Sequence, residues 1–401
     1  MKSIITRLIA LFVLFFTLMG CRDDSPEENG FSHEREEAAS GMEIHPKKEA
    51  IPHYDREHVS IDQSRSISKM EDVPVAMEKL ELYLERGDEA NPQELDIDAY
   101  DTAALIAGPL SNDDLVLMDP GHQRLIQFNP VSGDTAVIAG AGQGPGELQY
   151  PADIGVTQDG NELYIAQQDM RIDRYDCASE VCSYEETLTT ENLPYSLAVS
   201  DNDEIAVVTI PDPVQGDIKE DRNLISLFDE EGNQLKQFGS PYNTDVPIAY
   251  FNYNNQANIS YSHEAKVFVK SFSSLPMVYT YNREGGLENI FKISPFQLET
   301  TLVNEETGRS EHRAEQSSSL RFSLLYDKQY ALLQISKIGD FSDDEQASEY
   351  EQRYDFYVLN ITNGKSYFIG TKHQETSHSL SITPIQDGIV INEGGVLKRY
   401  H

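Results

Sequence analysis

Cys177 and Cys182 enclose Ala-Ser-Glu-Val, a spacing that suits two thiols closing a hairpin as a disulfide in an oxidising compartment. A metal site would need further thiol ligands, and the third cysteine, Cys21, stands far upstream. Four histidines, His122, His312, His373 and His378, fall in expected loops at one end of the fold, from which a divalent metal could be held. Loop histidines are more often simply solvated. Pro241-Tyr242 and then Tyr250-Phe251-Asn252-Tyr253-Asn254-Asn255 mix flat aromatic faces with amides. That composition suits stacking on a sugar ring or gripping a peptide, which makes Tyr242, Tyr250, Phe251, Tyr253 and Asn254 candidate ligand-binding residues. The same rings could instead pack their loop against its scaffold. The run Gly140-Ala-Gly-Gln-Gly-Pro-Gly-Glu147 places Pro145 where a dinucleotide cradle needs glycine and lacks the Lys-Ser or Lys-Thr of a P-loop, so it reads as tight turns. Neither Gly-x-Ser-x-Gly nor His-Glu-x-x-His occurs. No catalytic residue is assigned, and the only cofactor considered is the divalent metal.

Composition narrows the classes further. Asp and Glu number 68 against 31 Lys and Arg, a formal charge of −37. Such a surface repels phosphate backbones, which excludes nucleic acid as a partner, and it offers no basic patch for anionic lipid. With 401 residues, 39% of them hydrophobic, the chain can bury one large core or two modest ones.

Residues 1–21 read as an export signal outside the fold. Lys2 and Arg7 precede an apolar run from Leu8 to Met19, too short to span a bilayer as a mature helix. The run closes on Leu18-Met19-Gly20-Cys21, which resembles the bacterial lipobox, in which the cysteine is lipidated and becomes the first mature residue. The acyl chain on Cys21 is then the expected, and only, membrane attachment. Arg22-Asp23-Asp24 resembles the acidic signal that sends lipoproteins of Bacteroidota to the cell surface, so an outer-membrane lipoprotein, periplasmic or surface-exposed, is expected. Residues 22–75 carry fourteen acidic and seven basic side chains with no sustained period, and read as a disordered acidic tether.

From residue 76 the pattern changes to short apolar alternations broken by Gly, Asn, Asp and Pro. Asp114 to Met118, Arg124 to Phe128 and Asp134 to Ile138 are three successive strands, and sets of four such strands then recur to the C-terminus. The last set offers only three strands, and Lys79 to Leu84 is the expected donor of the fourth. The fold class is therefore all-β: residues 76–401 form a six-bladed β-propeller of four-stranded antiparallel blades, closed by an N-terminal strand.

Asp119-Pro-Gly-His-Gln-Arg124-Leu-Ile-Gln-Phe128 resembles the NHL-repeat hairpin, and Asp169 to Asp176 echoes it one blade later. The Gly140 to Glu147 run followed by Tyr150-Pro151 is similar to the linker between blades in six-bladed propeller lipoproteins of Bacteroidota, NHL-like or TolB-like in type. The resemblance implies a structural class with diverse roles. Two functions follow as expectations. The first is a lipid-anchored envelope module that binds a glycan, peptide or protein through the face where the long loops gather. The second is a lactonase-like or peptidylglycine-lyase-like hydrolase or lyase using a metal at the central opening.

Overall fold

The computed structural model describes residues 41–44, 47–95, 97, 105–210, 223–244, 247–294, 296, 298, 300–304, 310–313, 316–324, 329–339, 351–374, 380–385, 387–393 and 396–401. The export signal, Cys21, residues 22–40 of the expected tether and His378 lie outside the described residues. All described residues but Gly41 belong to the unit Met42–His401.

Alternating apolar residues and turn formers set the repeat. In four blades the last turn runs from Asn or Asp to a glycine in the left-handed region: Gly133 at φ 79°, Gly232 at 80°, Gly285 at 82° and Gly364 at 71°. The leading side chain caps the turn, as Asn129 accepts N–H bonds from Val131 and Ser132 at 2.9 Å and Asp229 accepts one from Asn233 at 2.7 Å. A non-glycine residue at that φ would be strained.

These turns deliver six four-stranded antiparallel blades, a six-bladed β-propeller. Blade 1 spans Leu105–Ala107 to Thr135–Ala139, blade 2 Pro151–Val156 to Ser183–Thr189, and blade 3 Leu193–Val199 to Gln234–Phe238. Blade 4 spans Ala257–Ser262 to Leu287–Ile293, blade 5 Gln316–Leu324 to Ser366–Gln374, and blade 6 Leu380–Ile385 to Val396–Tyr400. First strands of successive blades touch one another, which places them around the axis. The core lies in the seams between blades, as in the cluster that joins Val269 and Phe291 of blade 4 to Leu320, Leu333 and Tyr357 of blade 5.

The closing strand is Gln93–Leu95, which pairs antiparallel with Val396–Tyr400 and completes blade 6. It is not Lys79 to Leu84. Those residues lie in a helix, Val75–Arg86, ended by Gly87 at φ 54°. The helix buries Ala76, Met77, Leu80 and Tyr83, one stripe at helical spacing, against Phe356 and Ile369 of blade 5 and Ile389 and Tyr400 of blade 6. Its stripe fills the wedge that a three-residue closing strand leaves open.

The expected tether, 22–75, is overturned over residues 47–75. Residues 47–75 form a belt on the propeller. Ile51, Ile61, Ile67 and Met70 are buried, Val59–Ile61 adds a parallel fifth strand to the outer edge of blade 4, and Arg65 accepts a backbone bond from Phe368 of blade 5 at 2.7 Å. Isolated apolar residues in a polar stretch were enough, because each finds a seam already built by the blades. The belt also covers sheet edges that would otherwise invite pairing with another chain.

Candidate binding face

In an antiparallel blade the turn between strands two and three, and the connection to the next blade, emerge at the same end. The long connections gather at that end: residues 239–256 before blade 4, the hairpin Thr300–Asn304 and Ser310–Arg313 before blade 5, and the Gly140 to Glu147 run before blade 2. Residues 211–222 and 340–350, between second and third strands, lie outside the described residues. The disulfide Cys177–Cys182, with an S–S distance of 2.01 Å, sits in the turn between strands three and four of blade 2, at the opposite end.

The glycine-rich run is a set of turns. Glu147 accepts the Gly144 N–H at 2.7 Å, and Arg171 reaches the carbonyls of Gly144 and Glu147 at 3.4 Å. Gly146 has φ 71°, and a Cβ there would meet Tyr184 Cβ at 2.7 Å. Side chains fill the space that a phosphate would need.

The expected aromatic grip is occupied by the chain itself. Residues Pro247–Asn254 form a helix, and Tyr242, Tyr250, Tyr253 and Asn254 are buried, leaving only Phe251 half-buried at the surface. Asn254 pins the loop: its Oδ1 accepts the Tyr242 N–H at 2.8 Å and its Nδ2 donates to the carbonyls of Tyr242 at 3.1 Å and Tyr250 at 2.7 Å. The rings of Tyr242 and Tyr253 lie 4.6 Å apart and pack with Ile51 of the belt. Tyr242 Oη accepts the Lys47 N–H at 2.9 Å, and the Asn243 N–H donates to Ala50 at 3.0 Å. These side chains hold a peptide, but the peptide is residues 47–52. They are withdrawn as surface contacts for a ligand, because burial leaves them nothing to offer one.

Among the described residues no group of three or more His, Cys, Asp or Glu side chains could hold an ion. His122 is tied in its own hairpin, with Nδ1 at 2.8 Å from Asp119, while Arg124 donates to the same carboxylate at 3.0 Å. His312 lies in the strand Ser310–Arg313, and His373 is exposed on the outer strand of blade 5.

The belt and blade 4 together form a cavity that the sequence did not reveal. It is open to solvent, holds about 390 Å³, and is lined by Lys48, Tyr54, Pro276, Lys292, Ile293, Ser294, Phe296 and Leu298. Pro276 stands in the turn between strands two and three of blade 4, and residues 293–298 lead towards blade 5, so the cavity opens at the long-loop end. The Lys292 ammonium lies 3.6 Å from the Tyr54 ring centroid. Among the described residues no carboxylate pairs with Lys48 or Lys292, in a chain with 68 acidic side chains. The cavity is thus an apolar floor with a cationic rim on an acidic molecule.

Beneath the belt, Lys270 is fully buried in the second strand of blade 4, where it donates to the Ser240 carbonyl at 2.7 Å and lies 4.3 Å from the Phe272 ring centroid. Burial with no carboxylate at hand drives its pKa well below the ordinary lysine range. Its position in Val267-Phe-Val-Lys-Ser-Phe272 is the one sequence signal that could have found it: a lysine inside an apolar strand. Near the axis Asp153 of blade 2 accepts bonds from Ser196 Oγ at 2.6 Å and the Leu197 N–H at 2.9 Å, while Ser196 accepts the Ile259 N–H at 3.0 Å. Burial pushes Asp153 up to about 6, and these donors hold it from rising further.

No protein-family model matches the chain, and no curated protein matches its sequence. Some solved structures are similar to it in part. A Bacteroides fragilis protein classed as exported has 12% identity over 75% of this chain and 83% of its own, with a TM-score of 0.49. A member of the DUF4221 family from Bacteroides vulgatus has 11% identity over 77% of this chain and 94% of its own, also at 0.49. Hydrazine synthase of Kuenenia stuttgartiensis has 12% identity over 63% of this chain and 77% of its own, at 0.36.

Proposed function

We propose that the protein is a lipid-anchored envelope propeller whose long-loop end is a binding face, with the cavity between belt and blade 4 as its site. The observation that carries this reading is the cavity: about 390 Å³ of open space with Tyr54, Phe296 and Leu298 for a flat or aliphatic group and, at its rim, two lysines that no described carboxylate pairs. Its size falls at the lower end of small-ligand pockets. The arrangement favours an acidic glycan or an acidic peptide with one apolar residue over a neutral partner. Net charge opposes the approach of any anion, but at physiological salt that field decays within roughly 8 Å and the local lysines dominate contact. The anchor on Cys21 and a position on the outer membrane belong to the same proposal, supported by the lipobox-like segment.

The test is binding to glycan and peptide arrays by the chain from residue 22 onward, which retains every described residue. Reversing Lys48 and Lys292 to Glu should remove the acidic hits without changing the near-ultraviolet circular dichroism. Hits that survive the double reversal would place recognition elsewhere. A metal-dependent hydrolase or lyase has no ligand set among the described residues in its favour.

A further inference from the structure

Arg321 lies in Gln316–Leu324, the strand of blade 5 nearest the axis. Side chains alternate along a strand. Leu320 enters the seam with blade 4, so Arg321 faces the other seam, towards blade 6. Its cross-strand partner is Gln334, which donates from Nε2 to the Leu380 carbonyl at 2.6 Å, at the start of the first strand of blade 6. Tyr354, whose hydroxyl accepts the Leu380 N–H at 3.4 Å, completes the surroundings.

Two groups in this pocket are left over. The Arg321 guanidinium is half-buried and makes no hydrogen bond or ion pair with any described residue. Gln334 Oε1 is buried without a hydrogen-bond partner. An enclosed guanidinium without a carboxylate is costly, and desolvation already lowers its proton affinity here. Where blades 2, 3 and 4 meet, by contrast, Asp153, Ser196 and the Ile259 N–H satisfy one another. The donors of Arg321 and the acceptor of Gln334 stand side by side, since directly paired side chains lie about 5 Å apart on one face of a sheet.

We propose that Arg321 and Gln334 form a second site, at the axial end of the seam between blades 5 and 6, for a hydroxy carboxylate. The planar fork of arginine matches a carboxylate through two parallel bonds. Gln334 Oε1 then accepts from an adjacent hydroxyl, which a plain carboxylate does not supply. A uronic acid and a small free hydroxy acid share this chemistry.

The experiment is a thermal-shift titration of the chain from residue 22 with glucuronate, lactate, acetate and glucose. Glucuronate or lactate should raise the melting temperature in a saturable way, acetate less, and glucose not at all. Response to glucuronate alone identifies a sugar acid, and response to both identifies the free-acid chemistry. Arg321→Met should abolish the shift. Arg321→Lys, which keeps the charge and guards against a variant that fails to fold, should weaken binding roughly tenfold by losing one charge-assisted bond. Array binding at the blade 4 cavity should be unaffected by either variant. No shift with wild type, or an equal shift with Arg321→Lys, would overturn the site.

Discussion

Lys270 and Asp153 are ionisable side chains whose surroundings oppose their charge, and each makes a measurable demand on stability. The unfolded chain keeps the Lys270 proton up to the ordinary lysine range, whereas the folded chain sheds it at lower pH. Across that window the unfolded state binds more protons, so stability must rise with pH. Urea unfolding from neutrality to about pH 9.5, below the range where tyrosines ionise, should therefore show a steeper rise for wild type than for Lys270→Met. Equal slopes would mean that the buried amine stays charged. Ser196 bridges blades 2, 3 and 4, taking the Ile259 N–H and donating to Asp153. Ser196→Ala should cost about 2 kcal/mol, the usual penalty for orphaning a buried donor. It should also move the Asp153 carboxyl above its value of about 6, because a donor to its charged form is gone. Carbon-detected carboxyl titration by NMR reads that shift directly. Asp153 as a letter records nothing of the neighbouring blade that buries it, whereas Lys270 leaves a trace as a lysine inside an apolar strand.

At the scale of elements, strands were legible and the N-terminal segment was not. Strands announce themselves by a period of two and by turn residues, which are local. Lys79-Leu-Glu-Leu-Tyr-Leu84 alternates like a strand, yet Ala76, Met77, Leu80 and Tyr83 form a helical stripe, and the wedge between blades 5 and 6 selects the second pattern. The belt escaped notice because its stability is borrowed. Ile51 and Ile61 enter separate seams, and Ile67 shares a third with Met70. At about 2 kcal/mol for each buried side chain, their loss should be decisive. A chain beginning at residue 47 should melt like one beginning at residue 22, whereas a chain beginning at residue 76 should melt much lower and aggregate through the bared edge of blade 4. Equal melting of all three by calorimetry would reduce the belt to decoration. The same belt bears on the aromatic residues: Tyr242, Tyr250 and Tyr253, expected as ligand contacts or as loop packing, are buried, and Tyr242 and Tyr253 pack with Ile51 of the belt.

For the propeller as a whole, the two ends of the ring are unequal. Among the described residues, loops are short at the disulfide end and long at the other, where the cavity rimmed by Lys48 and Lys292 opens. If Cys21 carries the anchor, Cys21→Ser should move the protein from the membrane pellet to the soluble fraction; retention in the pellet would locate attachment elsewhere. The central claim is that ligand enters between the belt and blade 4. A photoreactive benzoylphenylalanine at Tyr54, compared with one at Val131, which is 67% exposed in a turn at the opposite end, tests this most directly with the best ligand from the arrays. Cross-linking from position 54 and none from position 131 is the expected result. Cross-linking from position 131, or none from position 54 while binding persists, would contradict the account.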